Sequence, residues 1–254
     1  MTQCIWCKES GNPASEEHII PEALGCPPDL VLTNGEVCKP CNNGLAFLDR
    51  ALVDDFDIPA FQAGVRRKGD RPSRVDSRGN MEAYRAAGGP VIAINMDPVP
   101  VTTPEGVRVS GVGKSTRNIR ATLTHDGNVA EVTFEVEFGS SPKFARGIHK
   151  IALNATAYFL GRNVALDPQL DPARKFVRNG AGNRRILTIV SRDPEYRNMV
   201  WAPYRHKDGL TVVVRLVMME FVVDLSPTQT ALPLLTTELE RTHGKSGWSL
   251  LPTV

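Results

Sequence analysis

No apolar run in this chain approaches the ~20 residues that a bilayer-crossing helix takes, which argues against an α-helical integral membrane protein. The opening residues Met-Thr-Gln-Cys lack a basic region followed by an apolar stretch, so no secretory signal is expected. A reducing cytoplasm is the compartment that follows, and there cysteines serve metals more often than disulfides. Internal repeats and low-complexity tracts are absent too, leaving an ordinary globular chain with 41% apolar residues. Nor is there a large excess of either charge, the net being +2.

That small net charge hides a division. Residues 1–60 hold three Lys or Arg against ten Asp or Glu, and residues 61–254 hold 27 against 18. If the partner is a polyanion, the grip has to come mainly from beyond the first segment, because counterion release needs Lys and Arg close to phosphates. At 254 residues the chain has room for a small module plus a domain of ordinary size.

What is present concentrates between Cys4 and Asn43. Cys4-Ile-Trp-Cys7 and Cys38-Lys-Pro-Cys41 are two CxxC pairs, and together they offer the four thiolates of a tetrahedral zinc site. Between them stands Glu17-His18-Ile-Ile-Pro21, and Asn42-Asn43 follows the last cysteine. A zinc knuckle that only has to fold has no use for those polar groups.

The order of elements expected around this site is strand, loop, strand, helix. Ile19-Ile20 and Val31-Leu32 read as short strands either side of a loop. Leu45, Leu48, Leu52 and Val53 recur at helical spacing. Such a ββα unit is too small to bury a sufficient core, and a bound metal supplies the staple. The expected division is a module at 1–57, a basic linker at 58–80 and an α+β domain at 81–254.

Residues 62–80 carry six Lys or Arg against two Asp. They read equally as a solvated connector and as a phosphate-contacting arm. Strands are expected at Val91–Met96, Gly106–Val112, Ile119–Thr124 and Val129–Phe138, with a hairpin turn at His125-Asp-Gly-Asn128. Ser140-Ser-Pro142 starts a long helix, Phe144, Ile148, Ile151, Ala155 and Phe159 mark its buried stripe, and Gly161 ends it. Lys143, Arg146 and Lys150 line another face, a pattern that is usually solvated surface. Pro172–Arg185 reads as a polar loop, followed by strands at Ile186–Val190, Met199–Tyr204 and Leu210–Leu225, the last long enough to be two. The fold class expected is α+β, a mainly antiparallel sheet with one long helix following the ββα module.

The combination Cys4-x2-Cys7, Glu17-His18-Ile-Ile-Pro, Asn34 and Cys38-x2-Cys41-Asn42 resembles the HNH endonucleases, in the branch stapled by four cysteines around zinc. The resemblance covers roughly residues 4–53. It implies a ββα-metal fold with structural Zn2+ on Cys4, Cys7, Cys38 and Cys41, and a second divalent ion, Mg2+ or Mn2+, on Glu17 and Asn42. It also implies His18 as the general base that takes a proton from water, a task suited to imidazole. Asn34 would orient His18, although it stands four residues before the third cysteine where the commoner pattern has five. Asn42 stands where many members have His, and a pair of oxygen donors suits a hard ion.

The implied partner is duplex DNA, with no membrane. Lys39, Arg66, Arg67, Lys68, Arg71 and Arg74 are the candidates for its phosphates, joined by Lys143, Arg146 and Lys150. One active site per chain implies a homo-oligomer or successive nicks if both strands are cut.

A rival reading stays open: a non-catalytic zinc module that binds nucleic acid or protein, the usual use of a four-cysteine ribbon. In a third, the carboxyl-terminal domain senses a ligand and gates the nuclease. Cys26 reads as an inert thiol, since no base for it is evident. Ser110–Thr116 imitates a P-loop but lacks its first Gly, where Arg108 stands. His125, His149, His206 and His243 lack ligand-like spacing.

Overall fold

In the computed structural model, residues 2–67, 138–190, 198–207, 209–244 and 246–251 are described throughout, and between 68 and 137 the strands named below. The chain divides into two compact units, residues 1–70 together with 139–254, and residues 71–138. The amino-terminal segment thus shares a unit with everything after Gly139, a grouping that the boundaries at 57 and 81 did not anticipate.

In the first unit β1 (Ala14–His18) pairs antiparallel with β2 (Val31–Cys38), with an irregularity in register between Ser15 and Glu17. Ile19 and Ile20, read from sequence as strand, follow β1 as fully buried residues. Helix α1 (Lys39–Asp55) begins with Pro40 in its first turn, where a missing N–H does no harm. It buries Leu45, Leu48 and Leu52 as the sequence periodicity predicts. Next come α2 (Asp57–Gln62) and β3 (Arg66–Arg67). Ile58, Ala60 and Phe61 are buried, so the expected linker begins as part of the core.

The second unit consists of β4 (Arg71–Pro72), β5 (Val75–Asp76), β6 (Met81–Ala86), β7 (Gly89–Ile94), β8 (Pro100–Thr102), β9 (Arg108–Ser110), β10 (Arg120–Asp126) and β11 (Val129–Glu135). Strands β5, β6 and β7 form one antiparallel sheet, and β8–β9 and β10–β11 are hairpins. The pairing of β10 with β11 runs to Asp126↔Val129, and Gly127 and Asn128 of the turn signal lie outside the described residues. Gly111–Thr116 of the P-loop imitation also lie outside them.

The first unit resumes with α3 (Pro142–Leu160). Ser141 caps it by accepting a bond from Lys143 N at 3.2 Å. Phe144, Ile148, Ile151 and Ala155 are buried as expected, whereas Phe159 is exposed beside Tyr158. Then follow α4 (Arg162–Ala165) and α5 (Asp171–Asn179). Helix α5 replaces the polar loop predicted there, burying Ala173, Phe176 and Val177.

Strands β12 (Ile186–Val190), β13 (Met199–Val200), β14 (Tyr204–His206), β15 (Gly209–Leu216), β16 (Met219–Asp224) and β17 (Trp248–Leu251) form one antiparallel sheet. Its order is β13-β15-β16-β12-β17, with β14 also on β15. The long apolar run from Leu210 thus folds as two strands, turning at Val217 with φ 57°. Helix α6 (Ala231–His243) packs Leu232 against Leu187 and Val222.

Three rings tie these parts together. Phe56 after α1, Phe144 in α3 and Phe221 in β16 are fully buried, with centroids 5.6–6.0 Å apart. Gly147 lets α3 approach α1 closely, since a Cβ there would fall 2.7 Å from Leu52 Cγ. The amino-terminal segment and the last sheet therefore share one core.

Candidate active site

The cysteine cluster forms where the CxxC turn before β1 meets the end of β2 and the start of α1. The four Sγ atoms of Cys4, Cys7, Cys38 and Cys41 lie within 4.8 Å of one another. Cys7 Sγ and Cys38 Sγ are 3.8 Å apart, and a tetrahedron with metal–sulfur bonds of about 2.3 Å has edges of about 3.8 Å. Trp6 N and Cys38 N both donate to Cys4 Sγ at 3.4 Å, the kind of contact that favours a thiolate. The cluster is thus compatible with zinc. Cys26 stands apart from it, its Sγ donating to Pro27 O at 3.3 Å, and burial pushes its thiol up to about 11. It is a poor nucleophile, as read from sequence.

Glu17, His18 and Asn42 come together where the end of β1 meets the first turn of α1. They line a cavity of about 360 Å³ with Glu16, Pro21, Glu22, Ala23, Asp49, Arg50 and Val53. Four carboxylates and a single guanidinium face this space. A phosphodiester avoids such a surface, and a hard divalent cation seeks it.

The side chains are oriented by bonds from several elements. Asn42 Nδ2 donates to Ser15 Oγ at 2.8 Å and to Glu16 O at 2.7 Å, which ties α1 to β1 and leaves Oδ1 as the free acceptor. The irregular register before Glu17 turns that residue inward, as β-bulges commonly do beside active sites. Glu17 is 3% exposed, and its Oε1 accepts from Lys150 Nζ at 2.6 Å and from Asn154 Nδ2 at 3.1 Å. Both bonds go to Oε1, so Oε2 is left over. Lys150 Nζ also contacts Asp49 Oδ1 at 2.8 Å and Oδ2 at 2.7 Å.

Burial raises the Glu17 carboxyl above its ordinary range, and Lys150 opposes that rise. Burial works against the charge on Lys150, yet Asp49 and Glu17 outweigh it and hold the ammonium above its ordinary value.

His18 is 39% exposed at its side chain, with Nε2 3.9 Å from Glu22 Oε2. Its Nδ1 is buried and unpartnered, so Nε2 is the nitrogen that reaches the cavity. The turn that carries Glu22 and Ala23 is held by Asn198, whose Nδ2 donates to Leu24 O and whose Oδ1 accepts from Val217 N at 2.7 Å. Oxygen donors on Asn42 and Glu17, fixed by bonds that spare one oxygen each, fit Mg2+ or Mn2+ better than a soft metal.

Other expected residues are placed differently. Asn34 does not line the cavity: it is an exposed residue of β2, where its N donates to Glu36 Oε2 at 2.8 Å and its O accepts from Arg162 Nη2 at 2.6 Å. Lys39, Arg66 and Arg71 are exposed. Nothing is described of the Arg67 side chain, and Lys68 and Arg74 lie outside the described residues.

The row Lys143, Arg146, Lys150 is not a free cationic face. Lys150 is 2% exposed within its carboxylate pair. Arg146 donates to Val177 O and Arg178 O at the end of α5 and lies over the Phe47 ring at 5.1 Å.

Sequence reasoning missed Asp49 and Asn154, and it offered Lys150 to phosphate where the structure pairs it with Glu17 and Asp49. One signal for Asp49 was available, since it lies seven residues after Asn42 and hence on the same helix face.

No curated protein and no solved structure matches the chain. Residues 4–57, which hold both the cysteine cluster and the acidic cavity, match the model of the HNH endonuclease family.

Proposed function

We propose that this protein is a metal-dependent endonuclease that hydrolyses phosphodiester bonds in duplex DNA. The observation that carries this reading is the acidic cavity that joins His18 to the spare oxygens of Glu17 and Asn42, within a segment matching the HNH endonucleases.

Glu17 Oε2 and Asn42 Oδ1 would hold the catalytic Mg2+ or Mn2+, and such an ion, when bound, stabilises the departing 3′ oxygen as a Lewis acid. His18 Nε2 takes the proton from the attacking water. The Asn198-held turn keeps Glu22 beside that nitrogen. Cleavage in this sense leaves 5′ phosphates. Zinc on the four cysteines keeps β2 and the first turn of α1 in place, so that Asn42, next to Cys41, meets β1. Lys39, Arg66, Arg67, Lys68, Arg71 and Arg74 are assigned to the phosphate backbone on charge alone.

The test is supercoiled plasmid incubated with the zinc-loaded protein in Mg2+ and in Mn2+. Nicked or linear product with either ion is expected, and none with His18→Ala. Unchanged plasmid under both ions would leave the non-catalytic zinc module as the better reading.

A further inference from the structure

Lys150 and Asn154 lie far outside the matched segment, yet both reach its acidic cavity wall. They stand four residues apart on α3 and so project from one helix face. Each donates to the same atom, Glu17 Oε1. Resting on the nuclease reading above, we propose that Lys150 and Asn154 are positioning residues of the metal site. They hold Glu17 by Oε1 so that Oε2 is presented to the ion, and Asp49 anchors the lysine from α1.

Three observations separate this from an ordinary buried ion pair. First, burying an ammonium and a carboxylate is seldom the most stable solution, and apolar side chains of similar volume are often as good or better. Lys150 is nonetheless 2% exposed and Glu17 3%.

Second, Asn154 is fully buried and its Oδ1 has no hydrogen-bond partner. An unmet buried acceptor costs about 1–3 kcal/mol, and turning the amide over would only aim that oxygen at the carboxylate. The residue tolerates this in order to deliver Nδ2 to Glu17.

Third, the ammonium spans two carboxylates on different elements, Glu17 on the strand of His18 and Asp49 on the helix face of Asn42. A structural pair requires one. This arrangement fixes β1 and α1 relative to each other at the two places where the ion would be held. Groups that orient metal ligands through one atom, leaving the other for the metal, typically carry roughly 10–100-fold of affinity or activity.

The experiment measures Mn2+ binding by loss of the free aqueous Mn2+ spectrum in electron paramagnetic resonance, on the full zinc-loaded chain. Wild type is compared with Lys150→Met, Lys150→Arg and Asn154→Ala, with zinc content and thermal melting followed in each. Lys150→Met is expected to weaken Mn2+ binding roughly 10–100-fold while the chain retains zinc. Lys150→Arg should restore part of the loss, because a guanidinium can also bridge two carboxylates.

Asn154→Ala leaves the ion pair intact and keeps the question answerable if Lys150→Met fails to fold. It should weaken binding about tenfold without loss of the melting transition. If wild type binds Mn2+ and Asn154→Ala binds it as tightly, the assignment is overturned. A wild-type chain that binds no Mn2+ would overturn both this assignment and the nuclease reading.

Discussion

The cysteine cluster and the acidic cavity belong to the same matched segment, yet they are assembled in opposite ways. The cluster takes all its ligands from residues 4–41. The cavity depends on contacts across 101 residues for Lys150 with Asp49 and 137 for Asn154 with Glu17. The cluster is local and the cavity is not. A segment that folds around zinc would still lack the groups that orient its acid, and the sheet after Gly139 contributes another support through Asn198.

The largest effect expected from this contrast is removal of zinc. Chelation, or Cys38→Ser, should unfold the β1–β2–α1 segment, since structural zinc contributes about 10–16 kcal/mol in comparable small modules. Circular dichroism and melting before and after chelation measure this, and a metal-free chain with an unchanged transition would show that the shared aromatic core suffices.

The opposite manipulation is Phe144→Ala, which should destabilise the unit by about 3–5 kcal/mol through a cavity between Phe56 and Phe221. Zinc content should stay unchanged. Loss of zinc in step with the melting shift would mean that cluster and cavity are not separately assembled.

A smaller effect comes from His149, fully buried on α3 beside Phe176. Burial, with Arg184 nearby, depresses its imidazole to about 3. A depressed folded value means that the unfolded chain binds the proton more readily. The stability it contributes is therefore present above the ordinary imidazole range and is lost as pH falls below about 6.5, at up to about 1.4 kcal/mol per unit. His149→Met should flatten this acid dependence in melts compared between pH 6.5 and 5; equal slopes for both chains would count against it.

The smallest effect belongs to Cys26→Ala. With the thiol half-buried and donating to Pro27 O and Leu30 O, zinc content and cutting should not change. A loss of zinc would place Cys26 in the cluster.

How much of this was legible in the sequence follows the same contrast. The four-cysteine cluster, the Glu17-His18 pair and the limits of α3 could be read because each depends on neighbours a few residues away: a CxxC turn, a Ser-Pro cap, a terminal glycine. Lys150 could not be read. In a row with Lys143 and Arg146 it has the spacing of a solvated face, and the carboxylates that bury it are invisible to any helical period. Helix α5 was hidden for a related reason, its buried face being little more than Ala173, Phe176 and Val177 among Pro172, Arg174 and Arg178. Asn34 went the other way. Its position near the third cysteine implied a place beside His18, but the irregular pairing of β1 with β2 leaves it exposed.

The most direct test of the central claim, that His18 performs proton transfer in a cavity whose acid holds the metal, is to measure Mn2+ binding and duplex cleavage on the same preparations of wild type, His18→Ala and Glu17→Gln. The account predicts that His18→Ala binds Mn2+ as wild type does while cutting falls by about 100-fold or more, and that Glu17→Gln loses both. A His18→Ala chain that cuts at the wild-type rate would contradict it.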